Sequence, residues 1–347
     1  MWLSAASVLG PGRRRRARRL RPVAVTLAGL APLLIITGCD PLASHPADQV
    51  VTVAAVPGID NANLYLAEHD GYFTKAGLDV KIQPYSSVAN EITALDNGSV
   101  NIIAADYGDM FFTELNNPIY KLLADGYDAA PGVIEIVTMP GSKITSPDDL
   151  AGQNIPVPDT EQVNVPQGDP DTLALASTVS VLQSDGVNLA AVNWEPMSQT
   201  QELDELVSGQ VPAILVTGLG VYLAEEKGAV ELLDGCSGPT SDIPLDGFFA
   251  NDAWLRDANH ATAAKDFQQA IYNADASATM PGPIQAILPA YAGLSKPEAD
   301  LIATGTYPLS TIVSSVQRTA DLMSTEGMIK IQLNVSEMVG TEPTRRH

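Results

Sequence analysis

Carboxylates dominate the side chains that could do chemistry in this sequence. Asp60, Asp106, Asp109, Asp159, Glu161, Glu195 and Asp246 fall beside or just after short apolar runs, and Lys143 is the only basic residue near them. A wall of such groups favours a cationic or neutral nitrogenous molecule, because an anion would meet like charge. Tyr107, within Ala105-Asp106-Tyr107-Gly108-Asp109, and Trp194, within Trp194-Glu195-Pro196, offer ring faces for stacking. A surface place for Tyr107 and a core place for Trp194 are the plainer readings. Ile59, Asp60 and Asn61 precede a helix, where free N–H groups and the positive dipole end gather. They read equally as a helix cap. Ser86, Thr160, Thr217 and Gly218 add hydroxyl or backbone contacts, and Asp246 and Phe248 complete the candidate set, with a purely structural role as their alternative.

Covalent and metal chemistry find little support. His45, His69, His260 and His347 have no metal-ligand partner at useful spacing. There is no Gly-x-Ser-x-Gly elbow and no phosphate loop. We therefore expect no catalytic set, no metal and no cofactor. Cys39 and Cys236 are the only cysteines. With Cys39 assigned below to an anchor, Cys236 reads as a small buried hydrophobe.

The elements that must position these groups start well inside the chain. Seven arginines between Arg13 and Arg21 precede an apolar run, Val23 to Ile36, broken by Pro32. Small residues Thr37 and Gly38 lead to Cys39. Charged, apolar, then small is the layout of a secretory signal, and the run falls short of the roughly 20 residues of a spanning helix. Ile36-Thr37-Gly38-Cys39 resembles the lipobox of bacterial lipoproteins. That resemblance implies a signal peptide over 1–38, with Cys39 lipidated as the new N-terminus. Residues 39–49 read as a tether. Removing residues 1–38 leaves 12 Lys+Arg against 41 Asp+Glu, a net charge of −29. Such a surface repels nucleic acid and anionic lipid, so the anchor would be the lipid itself.

From Val50 onward strands and helices alternate, which predicts an α/β fold. Strands are expected at 51–55, 78–82, 100–104, 133–138, 155–157 and 211–217, with 187–194 partly strand. Helices are expected at 63–69, 88–96, 173–183, 197–208 and 220–227. A polar-aromatic loop is expected after Ala104. The last third reads as helical, with long helices at 262–278 and 310–325. Ligands of open α/β sheets sit beyond the carboxyl ends of strands, which points to loops 57–63, 84–88, 105–111, 158–162, 194–198 and 217–220.

Asn63-Leu64-Tyr65-Leu66-Ala67-Glu68-His69-Asp70-Gly71-Tyr72-Phe73-Thr74-Lys75-Ala76-Gly77-Leu78-Asp79-Val80 resembles the signature "lYlAxexGYFxxxGLxV" of the NMT1/THI5-like and SsuA/TauA/NitT group of periplasmic binding proteins. Glu91 to Ile102 resembles that group's "aLxxGxvDi", with Asn101 where Asp is usual. Ser146 to Val157 resembles "sxxDLkGkkvav", and Leu206 to Ala213 resembles "LxxGqvDA", with Pro212 in place of Asp. Phe249 to Ala276 resembles the last strand-to-helix return. Asp159 to Asp171 departs from the pattern with a polar, Pro-containing stretch.

The resemblance implies a two-lobed type II periplasmic-binding-protein fold with a cleft between the lobes. The first lobe would hold 50–138, the second 139–245, and 246–347 would return to the first. Crossings are expected near Ile134–Met139 and Leu245–Ala250. It implies a monomeric, lipid-anchored protein on the outer face of the cell membrane. Its partners would be a small-molecule ligand and an ABC permease. The reading leans to a thiamine-type pyrimidine or other nitrogenous ligand. The alternatives are import of a sulfonate or nitrate, since helix N-termini bind anions without basic side chains, and ligand sensing through a receptor. Synthesis of the thiamine pyrimidine, known in relatives, needs a cysteine-rich motif and a histidine that this chain lacks.

Overall fold

The computed structural model describes residues 49–158, 172–280 and 282–339. The chain forms β1 (Gln49–Ala55), α1 (Ala62–His69), α2 (Tyr72–Lys75), β2 (Leu78–Pro84), α3 (Val88–Asp96), β3 (Ile102–Asp106), α4 (Tyr107–Asn116) and β4 (Tyr120–Asp128). It continues through β5 (Ile134–Thr138), β6 (Asn154–Pro158), α5 (Thr172–Ser184), β7 (Asn193–Met197), α6 (Gln199–Ser208), β8 (Ala213–Thr217), α7 (Leu219–Glu226) and β9 (Val230–Asp234). It ends with β10 (Pro244–Asn251), α8 (Asp252–Leu255), α9 (Ala258–Ala278), α10 (Pro283–Tyr291), α11 (Lys296–Ala299) and α12 (Val313–Thr325).

The first lobe is a five-stranded sheet in the order β2-β1-β3-β10-β4. β1 runs parallel to β2 and β3, while β10 lies antiparallel between β3 and β4. β3 through Ala105 and the second half of β1, Val53 to Ala55, are apolar and buried, as strand segments covered on both faces must be. The second lobe holds β8-β5-β9, all antiparallel, and the parallel pair β6-β7, with β6 packed beside β8.

Local chemistry explains the turns of the first lobe. Gly77 ends the α2 turn at φ 77°, a left-handed conformation that suits glycine, and lets the chain enter β2. Phe73 then packs flat on Phe267 of α9 (5.3 Å), and Phe248 of β10 meets the same ring edge-on (5.4 Å). These three buried aromatics tie the N-terminal helices to the C-terminal return.

Several expected boundaries move. The loop expected after Ala104 contains α4 and β4. β4 escapes recognition because Lys121, Asp125, Gly126 and Asp128 break the apolar pattern of an inner strand. Without it the first crossing is placed too late. Ile134–Thr138, expected in the first lobe, is the central strand of the second sheet, and the chain crosses at 129–133. Pro244 and Leu245, expected in the second lobe, begin β10 of the first sheet, so the return crosses at 235–243. The segment 187–194, expected to be partly strand, is strand only from Asn193. Gln49, expected in the tether, is the first residue of β1. Cys39 and residues 1–38 lie outside the described residues.

Candidate ligand-binding site

A cavity of about 600 Å³ opens between the two lobes. That volume suits a small organic molecule. One wall comes from the first sheet. Val56 to Asp60 follow β1, Ser86 to Val88 follow β2, and Asp106 ends β3. Tyr127 lies near the end of β4, and Leu245 and Asp246 open β10. Because β10 is antiparallel, its start lies where its neighbours end. Asp246 is paired with Asp106 on one side and Tyr127 on the other, so three residues distant in sequence share one edge.

The first wall is held from behind. Tyr291 donates to the Gly58 carbonyl (3.0 Å), and Tyr307 donates to the Ile59 carbonyl (2.7 Å). The Asn61 amide donates to the Val56 carbonyl (2.8 Å) and to the Asp60 carboxylate (3.0 Å). Thus the loop carrying Asp60 is bonded at four points before any ligand arrives. Tyr127 uses its hydroxyl to accept from the Gly305 N–H (2.7 Å), which sets its orientation.

The second wall is built from strand ends and helix starts. Val133 and Ile134 enter β5, and Thr217 pairs with Ile134 at the end of β8. Gly218 starts α7 at φ 49°, ψ −118°, a region that suits glycine, and donates to the Val133 carbonyl (2.8 Å). Leu173 and Ala174 of α5, Gln199 of α6 and Leu219 of α7 join them. Ala292 and Leu294, after α10, close one side.

The walls differ in charge. Asp60, Asp106, Asp109 and Asp246 line the cavity on the first lobe. Among the described residues no Lys, Arg or His lines it, and the second wall carries no ionisable side chain. Asp106 caps α4 by accepting from the Asp109 N–H (3.1 Å). Burial pushes Asp60 up to about 6, against the opposing pull of its own and the Asn61 backbone N–H.

Of the residues singled out from sequence, Ile59, Asp60, Ser86, Asp106, Asp109, Thr217, Gly218 and Asp246 share this lining. Five others lie outside it. Tyr107, expected to stack on a ring, is fully buried, and its hydroxyl donates to Asp125 (2.9 Å). Phe248 belongs to the aromatic core. Asn61 is a buried brace for the β1 loop. Trp194 packs half-buried against the core on β7, beside Glu195, which accepts from the Asn193 amide (3.0 Å). Asp159, Thr160 and Glu161 lie outside the described residues. Sequence reasoning missed Tyr127, because β4 was missed. It also missed Gln199, one residue beyond an expected loop, and the start of α5.

The two sheets and the cleft between them define a two-lobed periplasmic-binding-protein fold. A family model described as NMT1/THI5 like matches residues 59–282, more than half of the chain. The chain belongs to that family. No curated protein matches it in sequence. Similar solved structures include the ligand-binding component of an ABC-type import system from Staphylococcus aureus with zinc bound. It is 14% identical with TM-score 0.68, covering 84% of this chain and 96% of that one. The periplasmic aliphatic sulphonate binding protein SsuA from Escherichia coli is 14% identical with TM-score 0.65, covering 84% and 92%. The desulfurization enzyme DSZB is 15% identical with TM-score 0.62, covering 85% and 97%. The architecture therefore carries binding proteins and an enzyme alike, and its use is decided by the site.

Proposed function

We propose that this protein is the extracytoplasmic solute-binding component of an ABC importer, tethered to the membrane face through lipid on Cys39. Its ligand is a small nitrogenous molecule, neutral or cationic. One observation carries the reading: the interlobe cavity takes four carboxylates from the first lobe and, among the described residues, no basic side chain from either. Closure of two lobes on a ligand is an established mode for such clefts. Names of similar structures support binding for import as the general role.

Binding is favoured over catalysis by the side chains present. Cys236, the only cysteine among the described residues, is buried and outside the cavity lining, and burial pushes its thiol up to about 12. That shift disfavours the thiolate a nucleophile needs. No histidine among the described residues lines the cavity as a base.

A second reading, capture of a sulfonate or similar anion, is favoured by the second wall. Among the described residues, those at the starts of α5, α6 and α7 line it without a carboxylate, and helix N-termini attract anions. A thermal-shift panel of amines, thiamine pyrimidines, alkanesulfonates and nitrate separates the two. An amine or pyrimidine that raises the midpoint with the logarithm of its concentration, and is recovered unchanged, supports the first reading. A shift with sulfonate alone transfers the assignment to the second.

A further inference from the structure

We propose that the peptide N–H of Ile59 is a recognition donor of the cleft. It takes a hydrogen-bond acceptor of the ligand, the Asp60 carboxylate beside it takes an adjoining N–H, and Tyr291 is the positioning residue of this pair. The inference rests on the solute-binding reading and narrows its ligand to a molecule with a neutral acceptor next to a donor.

Ile59 is buried and belongs to the cavity lining. Among the described residues its N–H has no acceptor, and a buried backbone donor is rarely left unpaired. The direction of this N–H follows from the carbonyls around it. The Gly58 carbonyl, in the same peptide unit, accepts from the Tyr291 hydroxyl (3.0 Å), and the next carbonyl, that of Ile59, accepts from Tyr307 (2.7 Å). Neither tyrosine lines the cavity, whereas Val56 to Asp60 all do. The loop therefore separates the tyrosines from the cavity. In a planar trans peptide the N–H points opposite to the C=O. A carbonyl aimed back at Tyr291 thus turns the Ile59 N–H towards the cavity.

Asp60 stands beside this donor. Its carboxylate accepts from the Asn61 amide (3.0 Å) and lies over Gly58, where a Cβ would stand 2.1 Å from Asp60 Oδ1. The missing side chain at 58 is what admits that approach. A carboxylate can accept from several donors at once, so the Asn61 amide does not exhaust it. One donor and one acceptor then sit on adjacent residues of a loop braced from behind. A carboxamide, a ureide or an amino-substituted nitrogen heterocycle presents the complementary edge. A sulfonate offers acceptors alone, and Asp60 meets it with like charge. Tyr291 acts through the peptide and not on the ligand. Its ring is stacked on Tyr65 (3.7 Å), so Tyr291→Phe removes the hydroxyl and leaves the stack. The Gly58 carbonyl then loses its only donor among the described residues, and the Gly58–Ile59 peptide is free to turn.

The test is an NMR titration of the purified protein, labelled with nitrogen-15 isoleucine, and of its Tyr291→Phe variant at pH 8. The probes are 4-aminopyrimidine and benzamide, which carry the whole edge, aniline, which has the donor alone, acetophenone, which has the acceptor alone, and ethanesulfonate. An Ile59→Val protein, which lacks the Ile59 signal, assigns it. The expected result is that 4-aminopyrimidine or benzamide moves the Ile59 amide proton downfield and binds about fivefold tighter than aniline and acetophenone, as one added hydrogen bond allows. In Tyr291→Phe that advantage falls to within about twofold while the affinity for aniline is unchanged, a split that a general loss of stability would not produce. Binding that leaves the Ile59 signal in place, or an advantage that survives in Tyr291→Phe, overturns the proposal. Binding of ethanesulfonate with none by 4-aminopyrimidine or benzamide overturns the subsite while leaving solute binding intact. No binding by any probe counts against both. If Tyr291→Phe does not fold, the Ile59 signal of the unsubstituted protein decides: it must move with the two complete probes and stay in place with aniline, and any other pattern overturns the proposal.

Discussion

Tyr107 follows Asp106 by one residue, yet the two side chains face different surroundings. Asp106 caps α4 at the cavity edge, while Tyr107 turns into the core and donates to Asp125, itself buried and held well above the usual carboxylate range by desolvation. Removing that hydroxyl leaves a buried acceptor short of a donor, which costs about 1–3 kcal/mol. Tyr107→Phe should therefore lower the urea midpoint while leaving ligand affinity unchanged. A tenfold loss of affinity at unchanged stability would return Tyr107 to the binding surface. Residue type alone did not separate these roles, since a Tyr after an Asp at a strand end suits either.

At the scale of elements, α9 is the clamp of the first lobe. Its Phe267 is fully buried, stacked on Phe73 of α2 and edge-on to Phe248 of β10. Phe267→Ala removes both ring contacts and opens a cavity, at a cost of about 3–5 kcal/mol. Chemical denaturation should show that loss, and a cost below about 1 kcal/mol would mean that the helices repack around the gap. The helices and strands of the two α/β series are mostly legible in the sequence, because their apolar periodicity is strong and turn residues bound them. β4 is not. Its alternation is interrupted, and only pairing with β10 makes Tyr120–Asp128 a strand.

For the whole molecule, buried acids set the pH response. Burial pushes Glu91 up to about 9, Glu202 to about 8, Glu135 and Asp128 to about 7 and Asp60 to about 6. Each value lies above that of the unfolded chain, so the folded state binds more protons between the two. These groups contribute stability that is fully present below about pH 4 and is lost as the pH rises through their folded values. The expectation is a melting temperature that is higher at pH 5 than at pH 8. Self-repulsion of a chain this acidic acts in the same direction. Glu202, on α6 and outside the cavity lining, is fully buried, and neither oxygen has a hydrogen-bond partner. Glu202→Gln should flatten the slope between pH 6 and 8. A melting temperature that climbs from pH 5 to pH 8 would contradict the account.

The sequence by itself determined the α/β class, the two-lobed family and the acidic character of the loops beyond the strands. Those properties reside in local periodicity, in the segment Asn63–Val80 and in residue counts, none of which needs distant contacts. It also singled out Asp60, Asp106 and Asp246 individually. Only the tertiary structure decided which of the marked residues face the cavity. Antiparallel insertion of β10 between β3 and β4 places Asp246 beside both Asp106 and Tyr127, across separations of more than 100 residues. The same packing took Tyr107 and Phe248 into the core. The physical reason is that a strand's neighbours, and hence the direction in which its end residues look, are set by long-range pairing that no window of sequence contains.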